Sequence, residues 1–496
     1  MLIAHDLGTT GNKSSLHTDS GELVAAVTVH YSVHYADGGV SEQNPEDWWN
    51  AVVEATRRLL DQTGADPASV AGVVVSGQMM GAVLLDADYA PVRPAIIWSD
   101  TRSTAQVDEL LREFDQLQAL SILGHQLNST YSLSKIMWVR DHEPEVWTRV
   151  RHVGCAKDFI VHRLTGRLCT DPSDASSTNA FDIKAGTWSD PIIEAARLPR
   201  SIFPEVVDST AVVGTLTSRA AEALGLPASA RVVMGGGDGP IAAVGAGVVS
   251  PDDPPYVCMG TSTWISFATT EPAAADPRIF TFRHVVPELY VPTATMQAGG
   301  GAVQWASEVF GGPGVGVKEL VAQAENVKAA DEGLFFLPYL MGERSPYFNP
   351  EAAGTFAGLS RHHTPGHLMR AVMEGVALNL LICLDAFRDS GFNSPTIDAI
   401  GGGAASDLWL QIMADAWGVT MRRRSVVEEA NSLGAAVVGA VGLGFTDFSS
   451  ARTLSHVTGT FEPDPARTAL YRQAVDIFRD AYDRLEPWFA NRRPTR

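Results

Sequence analysis

A short segment of glycine and hydroxyl residues occurs twice in this chain, once at the start and once past the midpoint. The apolar run 2–5 and Asp6 lead into Gly8, Thr9 and Thr10, and the run 256–259 leads into Gly260, Thr261 and Ser262. Each copy reads as a strand, a tight turn and a second strand. Such turns present backbone N–H groups and small hydroxyls to phosphate oxygens. The repeat therefore predicts a duplicated scaffold, with two turns facing one cleft that holds a nucleotide phosphate.

The length of the chain predicts more than one domain. Its 496 residues exceed the roughly 250–300 residues at which a single core stops growing. A segment rich in Pro and Asp, residues 250–255, marks a joint, so we expect domains at 1–250 and 251–496. Strands, a crossover helix and a parallel strand follow one another over residues 2–86, which is typical of the α/β class.

A second internal similarity involves two glycine runs. Residues 231–234 lead into three glycines and Asp238, and residues 397–400 lead into three glycines at 401–403. Each run precedes a helix-like segment. The similarity suggests that the two segments correspond to each other in the duplicated halves.

The charge and the cysteines restrict the partners. A net charge of -20 argues against nucleic acid and anionic membranes, although backbone amides, one Lys and a cation can still hold a phosphate. Four scattered cysteines without CxxC spacing predict reduced thiols and a cytoplasmic protein. The N-terminal apolar stretch is too short for a signal peptide. The apolar run 433–445 is too short to span a bilayer and predicts a buried helix.

Asp6 and Lys13 flank the first turn. Asp6 ends a strand, where a carboxylate can hold Mg²⁺ against the β- and γ-phosphates, or simply cap the turn. Lys13 can contact phosphate or remain a solvated strand residue.

Asp238 is the strongest catalytic candidate. Three glycines before it allow a ligand to approach closely, and an acid at the helix start can accept the proton of an attacking hydroxyl. The alternative is an N-cap Asp.

Further binding candidates follow strand-like runs. The glycines 401–403 and the following Ser406 offer a helix N-terminus for an α-phosphate or ribose, or only a tight turn. The glycines 299–301 are a weaker example. Met79 and Met80 stand at a strand end, where they are substrate candidates or core residues.

These residues resemble the FGGY carbohydrate kinases, a branch of the actin-like ATPases, over nearly the whole chain. The turns match the two phosphate motifs of the family, and residues 354–374 match its C-terminal signature. Residues 135–138 are similar to the core of the other signature. Among the members, xylulose kinases are most similar, through residues 41–49, 93–102 and 342–346.

The resemblance implies two actin-like (ribonuclease H-like) domains around a central cleft, and MgATP-dependent phosphorylation of a terminal hydroxyl on a small sugar. The sugar would lie mainly on the first domain and the nucleotide on the second. Asp238 falls at the family's base and Asp6 at a carboxylate needed for activity; Met79 and Met80 fall on its sugar-contacting pair. Positions that contact the nucleotide in relatives are Gly300, Gln304, Gly402 and Ser406.

Two positions depart from the xylulose kinase pattern. Those enzymes typically carry His at the position of Met80 and Asn at that of Gly239. Losing two hydrogen-bonding groups can redirect specificity, since a site built to bond a hydroxyl discriminates by as much as about 10⁴–10⁵. The resemblance makes D-xylulose the first candidate, and these two departures make another ketose, a sugar acid or a polyol the alternative. A different class of function is an actin-like ATPase, or a regulator without sugar kinase activity. The sequence also leaves a homodimer possible.

Overall fold

The first half of the chain builds one large sheet and several short strands. The computed structural model describes residues 1–273, 276–312, 314–425 and 430–492. In chain order the strands are β1 (Leu2–Leu7), β2 (Gly11–His17), β3 (Leu23–His30), β4 (His34–Ala36), β5 (Val40–Gln43), β6 (Gly72–Gly77), β7 (Val83–Leu85), β8 (Ala95–Ile96), β9 (His152–Gly154), β10 (Cys169–Thr170), β11 (Phe181–Asp182), β12 (Thr187–Trp188), β13 (Glu205–Val206), β14 (Val212–Thr215) and β15 (Arg231–Gly237). The helices are α1 (Pro45–Thr63), α2 (Thr104–Leu110), α3 (Gln116–Leu123), α4 (Ser132–His142), α5 (Pro144–Trp147), α6 (Ala156–Thr165), α7 (Pro172–Ser176), α8 (Asp190–Ala195), α9 (Ser218–Leu224) and α10 (Asp238–Gly245).

The second half repeats this plan with longer helices. Its strands are β16 (Tyr256–Met259), β17 (Thr263–Ser266), β18 (Phe280–Arg283), β19 (Tyr290–Met296), β20 (Phe335–Leu337), β21 (Thr355–Ala357), β22 (Thr396–Ile400), β23 (Thr420–Arg424) and β24 (Val457–Phe461). Its helices are α11 (Gly300–Phe310), α12 (Val317–Glu325), α13 (Pro365–Asp389), α14 (Asp407–Trp417), α15 (Ala430–Leu443), α16 (Ser450–Leu454) and α17 (Pro465–Asn491). Short 3₁₀ turns lie at Pro67–Ser69, Arg200–Ile202, Ala330–Glu332 and Gly402–Ala405.

The two large sheets share one topology. The first has the order β14-β15-β6-β1-β2-β3, and the second the order β24-β23-β22-β16-β17-β19-β18. In each, three parallel strands lie between an antiparallel edge strand and an antiparallel meander. The hairpins β1–β2 and β16–β17 occupy equivalent places. The α/β class and the duplication of the first turn are thereby confirmed.

The predicted correspondence of the two glycine runs is wrong. β15 is separated from β1 by β6, whereas β22 lies directly beside β16, so β22 corresponds to β6. At each strand end, local crowding excludes a Cβ at the first glycine of the run. A Cβ on Gly235 would lie 1.8 Å from the Val75 carbonyl oxygen, and one on Gly401 would lie 2.7 Å from the Met259 nitrogen.

Local signals place α1 as expected. Asn44 precedes it in extended conformation and accepts a hydrogen bond from the Glu46 N–H, and Pro45 occupies the first turn. Its buried face includes Trp48 and Val52, which pack with the first sheet's core. The helix covers one face of that sheet, mainly at β2 and β3.

The apolar segment beginning at Leu433 forms the buried helix α15, as predicted. It packs on the first sheet, through a core that contains Leu2 and Val74, although it lies in the second half of the chain. It also crosses α10 closely, since a Cβ on Gly434 would lie 2.0 Å from the Ile241 carbonyl oxygen. The division at residue 250 stays a prediction.

Among the described residues, α13 alone is long and apolar enough to cross a membrane by length and composition. Its most apolar window has a mean hydropathy of 1.5, and 89% of that window is buried inside the protein. It is the central helix of the second core, where Met373, Leu380 and Phe387 contact the second sheet and neighbouring helices.

Candidate active site

Asp238 lies at the corner between β15 and α10. Gly237 occupies the N-cap position in extended conformation, and Asp238 is the first helical residue, so the N-cap alternative for Asp238 does not hold. Its carboxylate accepts a hydrogen bond from the Gly239 N–H at 2.8 Å. The corner thus projects the carboxylate from a strand end, where parallel-sheet proteins commonly bind ligands.

The environment of Asp238 favours a proton. Burial, together with the nearby Asp6 carboxylate, raises the pKa of Asp238 to about 7. The Gly239 N–H and the Arg344 guanidinium act in the opposite direction. A carboxyl group that titrates near neutral pH suits a group that accepts and releases a proton.

Asp6 faces Asp238 from the neighbouring part of the sheet. Burial raises the pKa of Asp6, and a hydrogen bond from Asn431 and the charge of Lys13 oppose this effect. Lys13 is the register partner of Asp6 on β2, so both side chains emerge on one face. Asp6 Oδ1 is buried and meets no hydrogen-bond donor in the described part of the chain. Such a carboxylate oxygen fits a hard divalent cation.

The first turn directs its carbonyl groups into the protein. Gly8 O accepts from the Tyr31 hydroxyl, Thr9 O from Gln43 Nε2 at 2.7 Å, and Thr10 O from the Tyr31 N–H. The hydroxyl of Thr9 accepts from Trp98 Nε1 at 2.9 Å. The turn is therefore held from its carbonyl side, which leaves its other side for a ligand.

The smaller of two relevant cavities adjoins Asp238. Its volume is about 160 Å³, and it opens between the two halves of the chain. The residues that line it include Met79, Met80, Trp98, Asp238, Gly239, Tyr256, Ser262, Trp264, Phe280, Phe282, Thr293, Thr295, Arg344 and Asn431. It combines aromatic walls with a few polar groups, as small-molecule sites do.

Met80 lines this cavity in an unusual backbone conformation. Its φ is +63°, a region that few residues other than glycine adopt. The buried Lys135 donates to the Met80 carbonyl at 3.0 Å, and the Met80 N–H donates to the Ser177 hydroxyl at 3.2 Å. Burial lowers the pKa of Lys135 to about 7. These bonds hold Met80 at the cavity wall, and its neighbour Met79 packs against Gly237.

The larger cavity, of about 680 Å³, lies beside the second turn. Its lining includes Gly260, Thr261, Gly300, Gln304, Trp305, Glu308, Met341 and Gly402. Gly260 and Thr261 border this cavity, whereas Ser262 of the same turn borders the smaller one. A single turn thus separates the two spaces.

Glycines allow the second turn to lie close to the start of α11. The N–H of Gly300 donates to Gly260 O at 2.8 Å, and a Cβ on Gly300 would lie 2.4 Å from that oxygen. A Cβ on Gly402 would meet nothing within 4 Å, so Gly402 faces the open cavity. Gln304 donates to Glu308 at 2.9 Å along the cavity wall.

Several predicted residues lie apart from these two cavities. Ser406 is the N-cap of α14, where its hydroxyl accepts from the Trp409 N–H at 3.3 Å, and it lines neither space. Asp6, the first turn and Lys13 also do not line them, but Asp6 interacts with Asp238, and Thr9 with Trp98. These residues border the site from the first sheet.

Sequence reasoning assigned no role to Trp98, Arg344 or Asn431. Trp98 and Arg344 stand inside segments 93–102 and 342–346, whose family resemblance was a signal for them. Asn431 sits at the start of α15, two residues before the apolar run. Nothing local in the sequence links it to Asp6, which it reaches because α15 packs against the first sheet and crosses α10.

Comparisons with known proteins match both halves of the chain to one family. Residues 1–245 match the model of the FGGY family of carbohydrate kinases, N-terminal domain, and residues 256–443 match that of its C-terminal domain. A xylulose kinase of Escherichia coli K12 is 34% identical over 494 residues, which cover 99% of this chain and 100% of that protein. A gluconokinase of Bacillus licheniformis is 26% identical over 493 residues, covering 96% and 94%.

Solved structures share the fold. A xylulose kinase from Brucella ovis aligns with a TM-score of 0.90 at 30% identity, over 98% of this chain and 99% of that one. A gluconate kinase from Lactobacillus acidophilus aligns at 0.92 and 24% identity, over 99% of both chains. These alignments confirm the predicted actin-like two-domain fold.

Proposed function

Because the chain belongs to the FGGY family of carbohydrate kinases and is a sugar kinase, we propose that it transfers the γ-phosphoryl group of ATP to a terminal hydroxyl of a small ketose. D-xylulose is the first candidate for that sugar. Xylulose kinases of Lactococcus lactis and Escherichia coli are each 34% identical to this chain over nearly its full length. Family membership and the substrate-sized cavity favour a kinase over an actin-like ATPase or a regulator. The homodimer and the cytoplasmic location stay predictions.

One observation carries the proposal. The turn at Gly260, Thr261 and Ser262 separates the larger cavity from the smaller one, and Asp238 lines the smaller one. A nucleotide in the larger cavity would direct its terminal phosphate toward that turn, and a sugar in the smaller cavity would place a hydroxyl beside Asp238. Phosphoryl transfer requires mainly this kind of positioning and charge stabilisation.

In the proposed reaction the sugar hydroxyl forms a bond to the γ-phosphorus, and the bond between that phosphorus and the ADP oxygen breaks. The Asp238 carboxylate accepts the hydroxyl proton and later releases it to solvent. Mg²⁺ fits at the unpartnered Oδ1 of Asp6, where it would offset phosphate charge. Lys13, Thr9 and Thr10 would contact the phosphates from the first turn.

The nucleotide and sugar groups would bind on different walls. Gly300, Gln304 and Gly402 would contact the nucleotide from the larger cavity, while Ser406 would act indirectly by capping α14. Met79 and Met80 would contact the sugar. Gly239 and Met80 offer no side-chain hydrogen bond in that cavity, so polar recognition there would rest on groups such as Arg344 and Asn431.

A sugar acid is the second candidate, for a specific reason. The Arg344 guanidinium lies in the smaller cavity, 5.5 Å from the centre of the Phe280 ring. A guanidinium pairs well with a carboxylate. A gluconokinase is also among the relatives.

A sugar panel with an Asp238→Asn variant tests the proposal. Wild-type protein with MgATP is assayed for ADP release in the presence of ketoses, polyols and aldonates. The masses of the products are measured by mass spectrometry. We expect one phosphate added to the preferred sugar, and a loss of about 10²–10⁴-fold in kcat for Asp238→Asn. ADP binding should be unchanged. Turnover near that of the wild type in the variant would remove Asp238 from its role, and ADP release indifferent to every sugar would refute the kinase assignment.

A further inference from the structure

A buried cluster of charged residues lies behind Asp238, and the proposed reaction does not use it. Lys157 Nζ lies 2.8 Å from Asp158, 3.2 Å from Asp171 and 3.3 Å from Asp174. All four side chains are at most 1% exposed. Burial acts to lower the pKa of Lys157, but the three carboxylates outweigh it and raise that pKa. A lysine that stays charged fixes the position of the Asp171 carboxylate.

Asp171 in turn fixes the direction of one hydroxyl. Its Oδ2 accepts from the Ser173 hydroxyl at 2.6 Å and from the Ser209 hydroxyl at 2.7 Å. Because the hydrogen of the Ser173 hydroxyl is donated to a carboxylate, its oxygen is left as an acceptor. That oxygen accepts the Gly237 N–H at 2.8 Å.

Gly237 is the residue directly before Asp238, in a corner that lacks side chains of its own. The register of β15 against β6 shifts between Val233 and Gly236, and Gly235 has a φ of +72°. A Cβ on Gly236 would lie 2.4 Å from a methyl carbon of Val285 and 2.9 Å from the Ser173 oxygen. The glycines let the backbone of this corner pack closely against its neighbours, but they also leave it conformationally flexible. Backbone hydrogen bonds must therefore fix its conformation.

We propose that Ser173 is a positioning residue for Asp238. Its hydroxyl connects the buried Lys157–Asp171 pair to the backbone of Gly237, which precedes Asp238. This inference rests on the proposed function, in which Asp238 accepts the substrate proton. Hydrogen bonds to ionised groups are shorter and stronger than neutral ones, so the Asp171–Ser173 link transmits the rigidity of the cluster to the corner. Without the hydroxyl, the Gly237 N–H would be buried and unpaired, and the corner would shift to satisfy it.

The experiment compares Ser173→Ala with Ser209→Ala. Both variants remove one donor from the same oxygen of Asp171, but only Ser173→Ala removes the partner of Gly237. We expect kcat to fall about tenfold to a hundredfold in Ser173→Ala, since small displacements of a reacting group cost that much. The KM for ATP and the stoichiometry of ADP binding should stay within about twofold, and Ser209→Ala should keep kcat within about twofold.

Counting sites by ADP binding separates a positioning effect from a loss of folded protein. Equal losses of kcat in the two variants, or none in Ser173→Ala, would overturn the inference. If Ser173→Ala cannot be purified, Ser173→Thr takes its place, since it keeps the acceptor oxygen and should keep kcat within about fivefold. A loss of about a hundredfold or more in Ser173→Thr would overturn the inference. An active Asp238→Asn would instead remove Asp238 from its role as the base, whatever the serine variants do, and ADP release indifferent to every sugar would refute the proposed function itself.

Discussion

Asp6 and Asp238 place two carboxylates in one poorly solvated part of the cleft. Each loses solvation, and the charge of Asp6 makes it harder to ionise Asp238. Two like charges in such a place persist only if something offsets them. A divalent cation at Asp6 would do so, and so would a proton on Asp238.

The rate should therefore depend on pH around neutrality. Asp238 must be ionised to accept a proton, and its pKa is about 7. Because a cation at Asp6 would favour the ionised form of Asp238, we expect log(kcat/KM) for the sugar to rise with unit slope at low pH and to level off at a pH no higher than about 7. A profile from pH 5 to 9 at saturating MgATP measures this. A rate that stays level down to pH 5 would contradict it.

Stability should depend on the same group in the opposite direction. The pKa of Asp238 is 3.8 when unperturbed and about 7 in the fold, so the folded state holds more protons between these values. Its contribution to stability is present at low pH and is lost as pH rises through about 7. Asp238→Asn removes this cost, so the gain in Tm over wild type should be larger at pH 8 than at pH 5. Scanning calorimetry at both values measures it, and an equal gain at both would speak against it.

At the scale of elements, the crossing of α10 and α15 connects the two halves to the site. α15 carries Asn431 to Asp6, and α10 begins at Asp238. The two helices approach closely at Gly434 and Gly245, where a Cβ would meet backbone oxygens at 2.0 and 1.9 Å. These two glycines therefore set the distance between α10, which begins at Asp238, and α15, which contains Asn431.

We expect Gly434→Ala to separate these helices. Overpacking costs about 1–3 kcal/mol of unfolding free energy, which exceeds the gain of about 0.5–1 kcal/mol that alanine gives an ordinary helix position. Sugar kinase activity should fall as well, because Asn431 moves away from Asp6. Denaturant unfolding and kcat measure both effects.

Gly312→Ala is the matched control, since a Cβ there would meet nothing within 4 Å. It should change stability by less than about 0.5 kcal/mol. A Gly434→Ala protein as stable and active as this control would contradict the prediction.

At the scale of the whole molecule, two similar sheets bring two unlike cavities together. Asp6 lies on the first sheet and Asp238 directly follows its strand β15, while the turn at Gly260 and Gly402 follow strands of the second sheet. The smaller cavity draws its walls from both halves. Duplication of a scaffold thus yields two roles, because the side chains and loops around each turn have diverged.

The two cavities should respond separately to substitution. A Cβ at Gly402 would meet no protein atom within 4 Å, so a larger side chain there would extend into the larger cavity. We expect Gly402→Val to raise the KM for ATP about tenfold or more, with Tm and the KM for sugar little changed. Met80→Ala, at the other cavity, should raise the KM for sugar instead. Parallel kinetics of the two variants test this, and a Gly402→Val effect on the sugar alone would reverse the assignment.

Much of the site could be predicted from local patterns. The turns at residues 8–10 and 260–262, and Asp238 after three glycines, carry signals because their backbone shape restricts which residues fit. The correspondence of the glycine runs failed because crowding selects glycine at strand ends in different places. Ser406 follows such a run, yet its hydroxyl caps a helix.

The amino-acid order alone determined the duplicated hairpins, the α/β class and the acids at strand ends, since these depend on residues that are neighbours along the chain. Only the tertiary structure decided that Asn431 lies beside Asp6, that Arg344 and Trp98 line the cavity of Asp238, and that one turn divides two cavities. Those arrangements depend on how distant elements pack against each other. Such packing is set by the shape of whole helix and sheet faces, which a single segment does not carry.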